Sequence, residues 1–227
     1  MNNSRRKFLR QSALAGAAFS LPFGKELMAM AGKSKAIGIQ LWTVKQALYK
    51  DTLGVLKHLS KCGYKQIEGF EGDLGIFWGM KNTELKKVLD DLGMKMVSSH
   101  CNNTQDFERK AAQAAEIGMK YLICPHKGAQ KSIDNFKRFS DEFNACGEIT
   151  KKNGLRFAYH NHDYSFVPMN GIVPQDLMMQ STNPDTVDFE MDMYWTVAAG
   201  VDPIGYMKKF PNRFKLVHIK EIGRAHV

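Results

Sequence analysis

Short apolar runs alternate with longer amphipathic segments about seven times from Ile37 onward. Each short run is apolar enough to be buried on both faces, as the strands of a parallel sheet are. Strands are predicted at residues 36–41, 65–69, 95–100, 121–125, 156–160, 186–192 and 214–220. Helices are predicted between them at residues 48–62, 83–92, 104–117, 132–152, 174–180 and 203–210.

Glycines mark the boundaries of these units. Gly63, Gly93, Gly118 and Gly154 each stand between a predicted helix and the next strand, where a glycine in the left-handed conformation commonly ends a helix. The repeat carries no GxGxxG or Walker A motif, so it favours an α/β fold of the (β/α)8 TIM-barrel type over a doubly wound dinucleotide-binding sheet. About seven of the eight βα units are present, and residues 32–221 are fewer than the roughly 250 of a typical barrel.

The N-terminus has the order of a targeting signal. SRRKFL at residues 4–9 resembles the twin-arginine export motif, and it precedes an apolar run at 11–23 and an Ala29-Met30-Ala31 cleavage site. Residues 1–31 are therefore predicted to be a twin-arginine signal peptide, and the export machinery is an expected partner. The apolar run is too short for a permanent membrane span, so a periplasmic or otherwise exported protein is expected.

The last residues lack a helix or capping signal. The string EIGRAHV at 221–227 is the translation of a widely used sequencing-library adapter. Our hypothesis is that residues 222–227 are a non-native tail and that the gene continues past Lys220. The expected domains are then the signal peptide (1–31), an incomplete, C-terminally truncated barrel (32–221) and the tail (222–227).

Charge and cysteine content exclude some functions. The formal net charge is +9, but nearly half of it lies in the first 31 residues, and the rest forms no Lys/Arg stripe of the kind that binds nucleic acid. The four cysteines, Cys62, Cys101, Cys124 and Cys146, show no CxxC spacing and are predicted to be core thiols. A disulfide between Cys101 and Cys124 is the alternative in an oxidising compartment.

Polar side chains cluster at the predicted strand ends. In a (β/α)8 barrel the chemistry lies at the C-terminal ends of the strands. Those positions hold Gln40, Glu68, Glu71, His100, Asn102, His126, His160, Asn161, His162, Asp163, Asp192, His218 and Lys220. Three successive strands place His160, Asp192 and His218 at one mouth, which suits a divalent metal with nitrogen and oxygen ligands. A hydrogen-bonded polar plug is the alternative.

These motifs carry a family resemblance. The stretches IGIQLWTV, GYKQIEGFEG, GMKMVSSH, YHNHDYSF, FEMDMYW and KLVHIKE, in this order from about 37 to 220, resemble the xylose-isomerase-like TIM-barrel superfamily of sugar phosphate isomerases/epimerases. The resemblance implies a divalent metal (Mn, Mg, Zn or Co) held by His160, Asp192 and His218, with a fourth ligand on an eighth strand beyond Lys220. Two departures are His160, where the epimerases often have Glu, and Trp195, where they commonly have His.

The chemistry implied is proton abstraction next to a carbonyl of a sugar or keto-sugar. Catalytic candidates are His100 as the base, Lys220 as a stabilising cation, and His162 and Glu68 as second choices. The candidates for substrate binding are Gln40, Trp42, His126, Asn161 and Trp195, of which Trp195 is either a sugar-stacking wall or a packing residue. The substrate is expected to be a free sugar, inositol or oxidised glycoside.

Alternative functions remain open at this point. Isomerisation, epimerisation and loss of a β-leaving group share the same first step, so a lyase/dehydratase, or a hydrolase of a keto-sugar, inositol or keto-glycoside, could use the same site. A metal-dependent phosphoesterase would need further metals and a basic face. A non-catalytic sugar-binding barrel would keep stacking residues such as Trp42, Trp78 and Trp195 but bind no metal.

Overall fold

Seven parallel strands form one sheet in a computed structural model that describes residues 37–220. The strands pair in chain order, each with the next. They are β1 (Gly38–Gln40), β2 (Gln66–Phe70), β3 (Lys95–His100), β4 (Tyr121–Cys124), β5 (Arg156–His160), β6 (Val187–Asp192) and β7 (Phe214–His218). The strand–helix alternation in the sequence is confirmed.

Helices connect the strands and cover the outer face of the sheet. They are α1 (Lys45–Lys50), α2 (Thr52–Lys61), α3 (Asn82–Asp91), α4 (Phe107–Glu116), α5 (Ile133–Lys152), α6 (Pro174–Ser181), α7 (Met193–Ala198) and α8 (Pro203–Lys209). Two 3-10 turns lie at Leu41–Val44 and Asp163–Phe166. This is the predicted TIM-barrel architecture with seven βα units.

The sheet curls far enough to bring non-neighbouring strands together. The side chain of His218 on β7 lies 2.7 Å from that of Glu68 on β2, although these two strands do not pair. The register sets the strand ends level with one another, as Asp192 beside His218 and Phe70 beside His100 show. The polar strand ends therefore face a common interior.

The core lies between the sheet and the helices. Phe143 on α5 stacks on Tyr159 of β5 with ring centroids 5.0 Å apart, and it also contacts Phe157. Gly147 lets α5 approach the sheet closely, because a Cβ at this position would lie 2.6 Å from Thr186 Oγ1. Close helix–sheet packing fixes β5 and β6, the two strands that end in His160 and Asp192.

Two helical segments differ from the prediction. The predicted helix 48–62 is divided into α1 and α2 at Asp51, whose backbone leaves the helical region and whose carboxylate accepts a hydrogen bond from Gly54 N at 2.8 Å. A local aspartate cap thus outweighs the continuous helical pattern. Helix α7 was absent from the prediction because its residues, MYWTVA, show no polar face.

Three of the four cysteines are buried, and all four are free thiols. Cys101, Cys124 and Cys146 lie in the core, whereas Cys62 is exposed. Burial raises the pKa of the Cys124 thiol to about 12, with a small opposing effect of Lys127. The predicted core thiols are therefore confirmed for three positions.

A thiol-labelling experiment checks this burial. Only the thiolate reacts, and at pH 8 the buried thiols stay protonated. We expect a disulfide exchange reagent to label one thiol, Cys62, rapidly in the folded protein and all four after unfolding in guanidinium. A Cys62→Ser variant should lose the rapid phase. Rapid labelling of several thiols in that variant would contradict the described packing.

The predicted signal peptide (1–31) and the predicted tail (222–227) lie outside the described residues. Among residues 37–220, no helix is both long enough and apolar enough to cross a bilayer.

Candidate active site

A cavity of about 830 Å³ opens at the C-terminal ends of the strands. This volume is within the usual range of small-molecule sites. Eight of the residues predicted for the site line it: Gln40, Trp42, His100, His126, His160, His162, His218 and Lys220. Glu68, Asp192 and Trp195 contact the lining residues His218, His160 and His162, and Asn161 bonds to Asp192.

His160, Asp192 and His218 come together at the floor of this cavity. Nε2 of His160 is 3.0 Å from Oδ2 of Asp192, and Nδ1 of His218 is 3.7 Å from the same oxygen. Their ligand atoms all lie within 4.8 Å of one another. Parallel strands that end at the same edge of the sheet produce this convergence, as the sequence predicts.

The donor chemistry of these three residues fits a divalent cation. Nδ1 of His160 faces the carbonyl oxygen of Pro125 at 3.2 Å and can donate a hydrogen bond there, which leaves Nε2, 3.0 Å from Oδ2 of Asp192, as the nitrogen that would bind a cation. Oδ1 of Asp192 accepts a hydrogen bond from Trp195 N at 3.2 Å, which aims Oδ2 at the same point. A histidine held through its other nitrogen is typical of metal sites. We call His160, Asp192 and His218 the outer centre.

A second cluster lies deeper between the strands. Glu68, His100, Glu190 and His218 also place their ligand atoms within 4.8 Å of one another. Nε2 of His100 is 2.8 Å from Glu190, and Nε2 of His218 is 2.7 Å from Glu68. We call these four residues the inner cluster; it shares His218 with the outer centre.

Hydrogen bonds and nearby charges shift the pKa values of the carboxylates. Burial alone would raise the pKa of Asp192, but the contacts with His160, His218 and Lys220 hold it well below its usual value. Burial also opposes ionisation of Glu68, yet His100 and His218 lower its pKa to about 2. Burial and the charge of Glu68 raise the pKa of Glu190 well above its ordinary value.

The histidines divide into neutral and charged rings. Burial lowers the pKa of His100 to about 4, against the attraction of Glu68, and lowers that of His160 as well. Burial would also lower the pKa of His218, but Asp192, Glu68 and Glu190 outweigh it and raise the value to about 10. His218 is therefore a cation at neutral pH, whereas His100 and His160 are neutral.

Lys220 and Trp195 border the outer centre. Nζ of Lys220 lies 2.6 Å from Oδ2 of Asp192 and 5.2 Å from the ring centroid of Trp195. The Trp195 ring also packs against His162 at 5.3 Å, and its indole nitrogen is buried without a hydrogen-bond partner among residues 37–220. The contacts of Trp195 thus include both packing and the edge of the site.

Asn161 and Glu68, which the sequence analysis considered for substrate binding and catalysis, are buried and do not line the cavity. The fully buried Asn161 accepts from Asp192 N at 3.0 Å and donates to Thr196 Oγ1, so it fixes the end of β5 against the start of α7. Glu68 is buried in the inner cluster and accepts a hydrogen bond from Ser98 at 2.6 Å. Their position in the structure is that of supports beneath the cavity.

The histidines at the ends of β4 and β5 form one aromatic wall. His126 and His162 meet edge to face at 4.9 Å, and His162 stacks on Tyr164 with an interplanar angle of 5°. Burial, together with the neighbouring imidazoles of His160 and His126, lowers the pKa of His162 to about 3. Its Nδ1 has no hydrogen-bond partner among the described residues.

The sequence analysis missed Glu190 and Lys127. Glu190 lies two residues before Asp192, on the same face of β6, and the alternation in DFEMD is a signal that could have located it. Lys127 lines the cavity and pairs with Glu142 on α5. This pair could be predicted only if the position of the helix against the strand ends were known.

The chain matches the family model of the xylose isomerase-like TIM barrel over residues 56–226. A solved sugar phosphate isomerase/epimerase from Parabacteroides distasonis is 32% identical, with a TM-score of 0.72, over 84% of this chain and 78% of that one. With the βα barrel and the polar strand ends already established, these matches define the class. The chain belongs to the xylose isomerase-like TIM-barrel family.

Two further relatives are more distant. An inosose dehydratase of Clostridium beijerinckii is 25% identical over 71% of this chain. The chain spans 62% of the length of that curated relative. The solved zinc-bound IOLI protein is 16% identical, with a TM-score of 0.58, over 73% of this chain and 66% of that one, which shows a shared fold.

Proposed function

We propose that this protein is a divalent-metal-dependent sugar isomerase or epimerase that removes a proton next to a carbonyl group. The observation that carries the proposal is the outer centre, where a neutral imidazole nitrogen and a buried carboxylate oxygen face each other at 3.0 Å beside a sugar-sized cavity. Two electron-pair donors in this arrangement suit a cation between them. The family match and the solved isomerase/epimerase relative support the reaction class.

The metal ligands in this proposal are Nε2 of His160, Oδ2 of Asp192 and Nδ1 of His218. A bound divalent ion would polarise a substrate carbonyl oxygen as a Lewis acid. Mn, Mg, Zn and Co remain the candidate ions, and an exported protein remains part of the proposal on the evidence of the SRRKFL motif. Because export would put the protein outside the cytoplasm, the proposed substrate is a non-phosphorylated sugar, keto-sugar or inositol derivative.

His100 and Lys220 supply the acid–base and charge functions in this proposal. His100 lines the cavity, and its low pKa keeps the ring neutral at pH 7, so Nδ1, 3.4 Å from the Gln40 amide, can accept a proton. The ammonium group of Lys220, at the edge of the cavity, stabilises the negative charge that develops on the substrate oxygen. His162 is the alternative proton acceptor.

A dehydratase is the second candidate. The inosose dehydratase relative favours it, since loss of a β-leaving group begins with the same proton abstraction. Reprotonation at the neighbouring carbon instead gives the isomer, and reprotonation on the opposite face gives the epimer. The fate of the leaving group therefore separates the candidates.

A substrate panel tests the proposal. The purified protein is stripped with chelator, reloaded separately with Mn²⁺, Mg²⁺, Zn²⁺ or Co²⁺, and incubated with ketoses, inososes and keto-glycosides; products are followed by NMR. We expect one substrate class to give an isomer or epimer only with added metal, and Lys220→Met to slow it. Turnover unaffected by chelator would contradict metal dependence. Binding of sugars without turnover would favour the non-catalytic barrel.

Trp42 provides a prediction about substrate contact. The residue is 56% exposed, and its ring packs edge to face on Phe70 and lines the cavity. Because the exposed face suits stacking on a sugar ring, Trp42→Ala should raise KM about tenfold, a loss of about 1.4 kcal/mol in binding, and leave metal affinity unchanged. Steady-state kinetics with the substrate found above measure this. An unchanged KM would remove Trp42 from the substrate site.

A further inference from the structure

The inner cluster has the geometry of a cation site of its own. Nε2 of His100 lies 2.8 Å from Glu190 and 3.3 Å from Glu68, and Nε2 of His218 lies 2.7 Å from Glu68 and 3.3 Å from Glu190. Each imidazole nitrogen therefore faces both carboxylates. Ligand atoms around a tetrahedral zinc ion with bonds of 2.0–2.2 Å lie about 3.4 Å apart. Four donors already stand at nearly this spacing.

Burial makes a cation favourable at this point. All four side chains are at most 15% exposed, and two carboxylates taken out of water are costly unless positive charge accompanies them. Lys220, whose ammonium group lies near the outer centre, pairs with Asp192 rather than with Glu68 or Glu190. Among the described residues, the side-chain nitrogens within 4 Å of these two carboxylates belong to His100 and His218, so no lysine or arginine pairs with them.

We propose that Glu68, His100, Glu190 and His218 form a second divalent-cation site beneath the outer centre. Glu190 precedes Asp192 by two residues on β6, which places the second ion roughly 6 to 7 Å deeper along the strand. The four ligands come from β2, β3, β6 and β7, so the ion joins two pairs of strands that do not pair with each other. Imidazole and carboxylate ligands suit Zn²⁺, Mn²⁺ or Co²⁺.

The two sites compete for one ligand. His218 turns Nε2 to the inner cluster and Nδ1 to Asp192, and a neutral imidazole has one lone pair to give. An ion in one site therefore weakens binding in the other. If the proposed function holds, the inner ion also engages His100, the proposed base, so excess metal inhibits turnover.

Direct metal binding tests this site without any assay of activity. Chelator-stripped protein is titrated with Zn²⁺ by calorimetry, and bound zinc is counted by mass spectrometry after gel filtration. We expect two classes of site in the wild type, with affinities at least about tenfold apart. Glu190→Gln should remove one class, and Asp192→Asn should remove the other. Glu84→Gln, an exposed helix cap bonded to Lys81 N, should retain both.

Further readouts separate a binding defect from misfolding. Circular dichroism checks the fold of each variant, and Glu68→Gln should lose the same class of site as Glu190→Gln. A single class in the wild type, or two classes retained in both glutamate variants, would overturn the inner site. If both glutamate variants lose only the inner class of site while the wild type turns over no substrate of the panel, the inner site stands and the proposed function is overturned instead.

Discussion

Asp192→Asn should abolish tight metal binding at the outer centre and lower metal-dependent turnover at least about 100-fold. The substitution keeps the size of the side chain and the hydrogen bond that Oδ1 accepts from Trp195 N. It removes the charge that His160, His218 and Lys220 share. Calorimetric titration and initial rates at fixed metal concentration measure the two effects.

The matched control is Asp202→Asn. Asp202 also caps a short helix, α8, by accepting from Ile204 N at 3.1 Å and Gly205 N at 2.9 Å, and it is not a lining residue of the cavity. Asparagine caps helices about as well as aspartate, so this variant should retain metal affinity and turnover. Equal losses in both variants would mean that Asp192 acts through the helix cap and not as a ligand.

Arg156→Leu should lower the free energy of unfolding by about 3 kcal/mol. Arg156 begins β5 and forms a bidentate ion pair with Asp188 of β6, with 2.9 Å from Nη2 to Oδ1. It also donates to the carbonyl oxygens of Asp185 and Pro184. Asp188 is 1% exposed, so the substitution leaves a buried carboxylate without its cation. Urea unfolding followed by circular dichroism measures the loss.

An exposed arginine supplies the comparison. Arg109 pairs with Asp106 on the surface, where both side chains are more than 60% exposed, so Arg109→Leu should change the free energy of unfolding by less than about 1 kcal/mol. Metal affinity should survive both substitutions, because Arg156 lies at the opposite end of β5 from His160. A loss at Arg156 no larger than that at Arg109 would contradict the buried ion pair.

This chain has His160 where the epimerases that its motifs resemble often have glutamate, and this difference changes what the outer centre can do. A carboxylate at this position could also act as a base. In His160, by contrast, Nδ1 faces the Pro125 carbonyl oxygen and Nε2 faces Asp192. Neither nitrogen is then available to take a proton from substrate while Nε2 is a ligand. The base must come from another strand, which is why His100 at the end of β3 carries that role in the proposal.

The outer centre could be predicted from the sequence because it depends on strand ends alone. His160, Asp192 and His218 are each the last residue of a strand, and parallel strands bring such ends to one edge of the sheet. The same reasoning located the cavity wall at Gln40 and His126. Local periodicity was sufficient for these features.

Features that depend on three-dimensional contacts could not be predicted in this way. Glu190 lies inside the barrel, and only the curl that brings β2 near β7 shows that it faces Glu68 and both histidines. Asn161 is adjacent to His160 in sequence, but its partners, Asp192 and Thr196, belong to the next βα unit. Packing between units, rather than pattern within one unit, decides such positions.

Exchange of a substrate carbon-bound hydrogen with deuterated water is the most direct test of the central claim. Isomerisation, epimerisation and dehydration all begin by removing a proton next to a carbonyl, and in deuterated water the proton that returns is deuterium. NMR should find it at the same carbon in an epimer, at the former carbonyl carbon in an isomer, and at the carbon that lost the leaving group in a dehydrated ketone. We predict metal-dependent incorporation with the wild-type protein that is lost in Asp192→Asn and retained in Asp202→Asn. Turnover of a substrate with no deuterium at any carbon next to the carbonyl would contradict the mechanism.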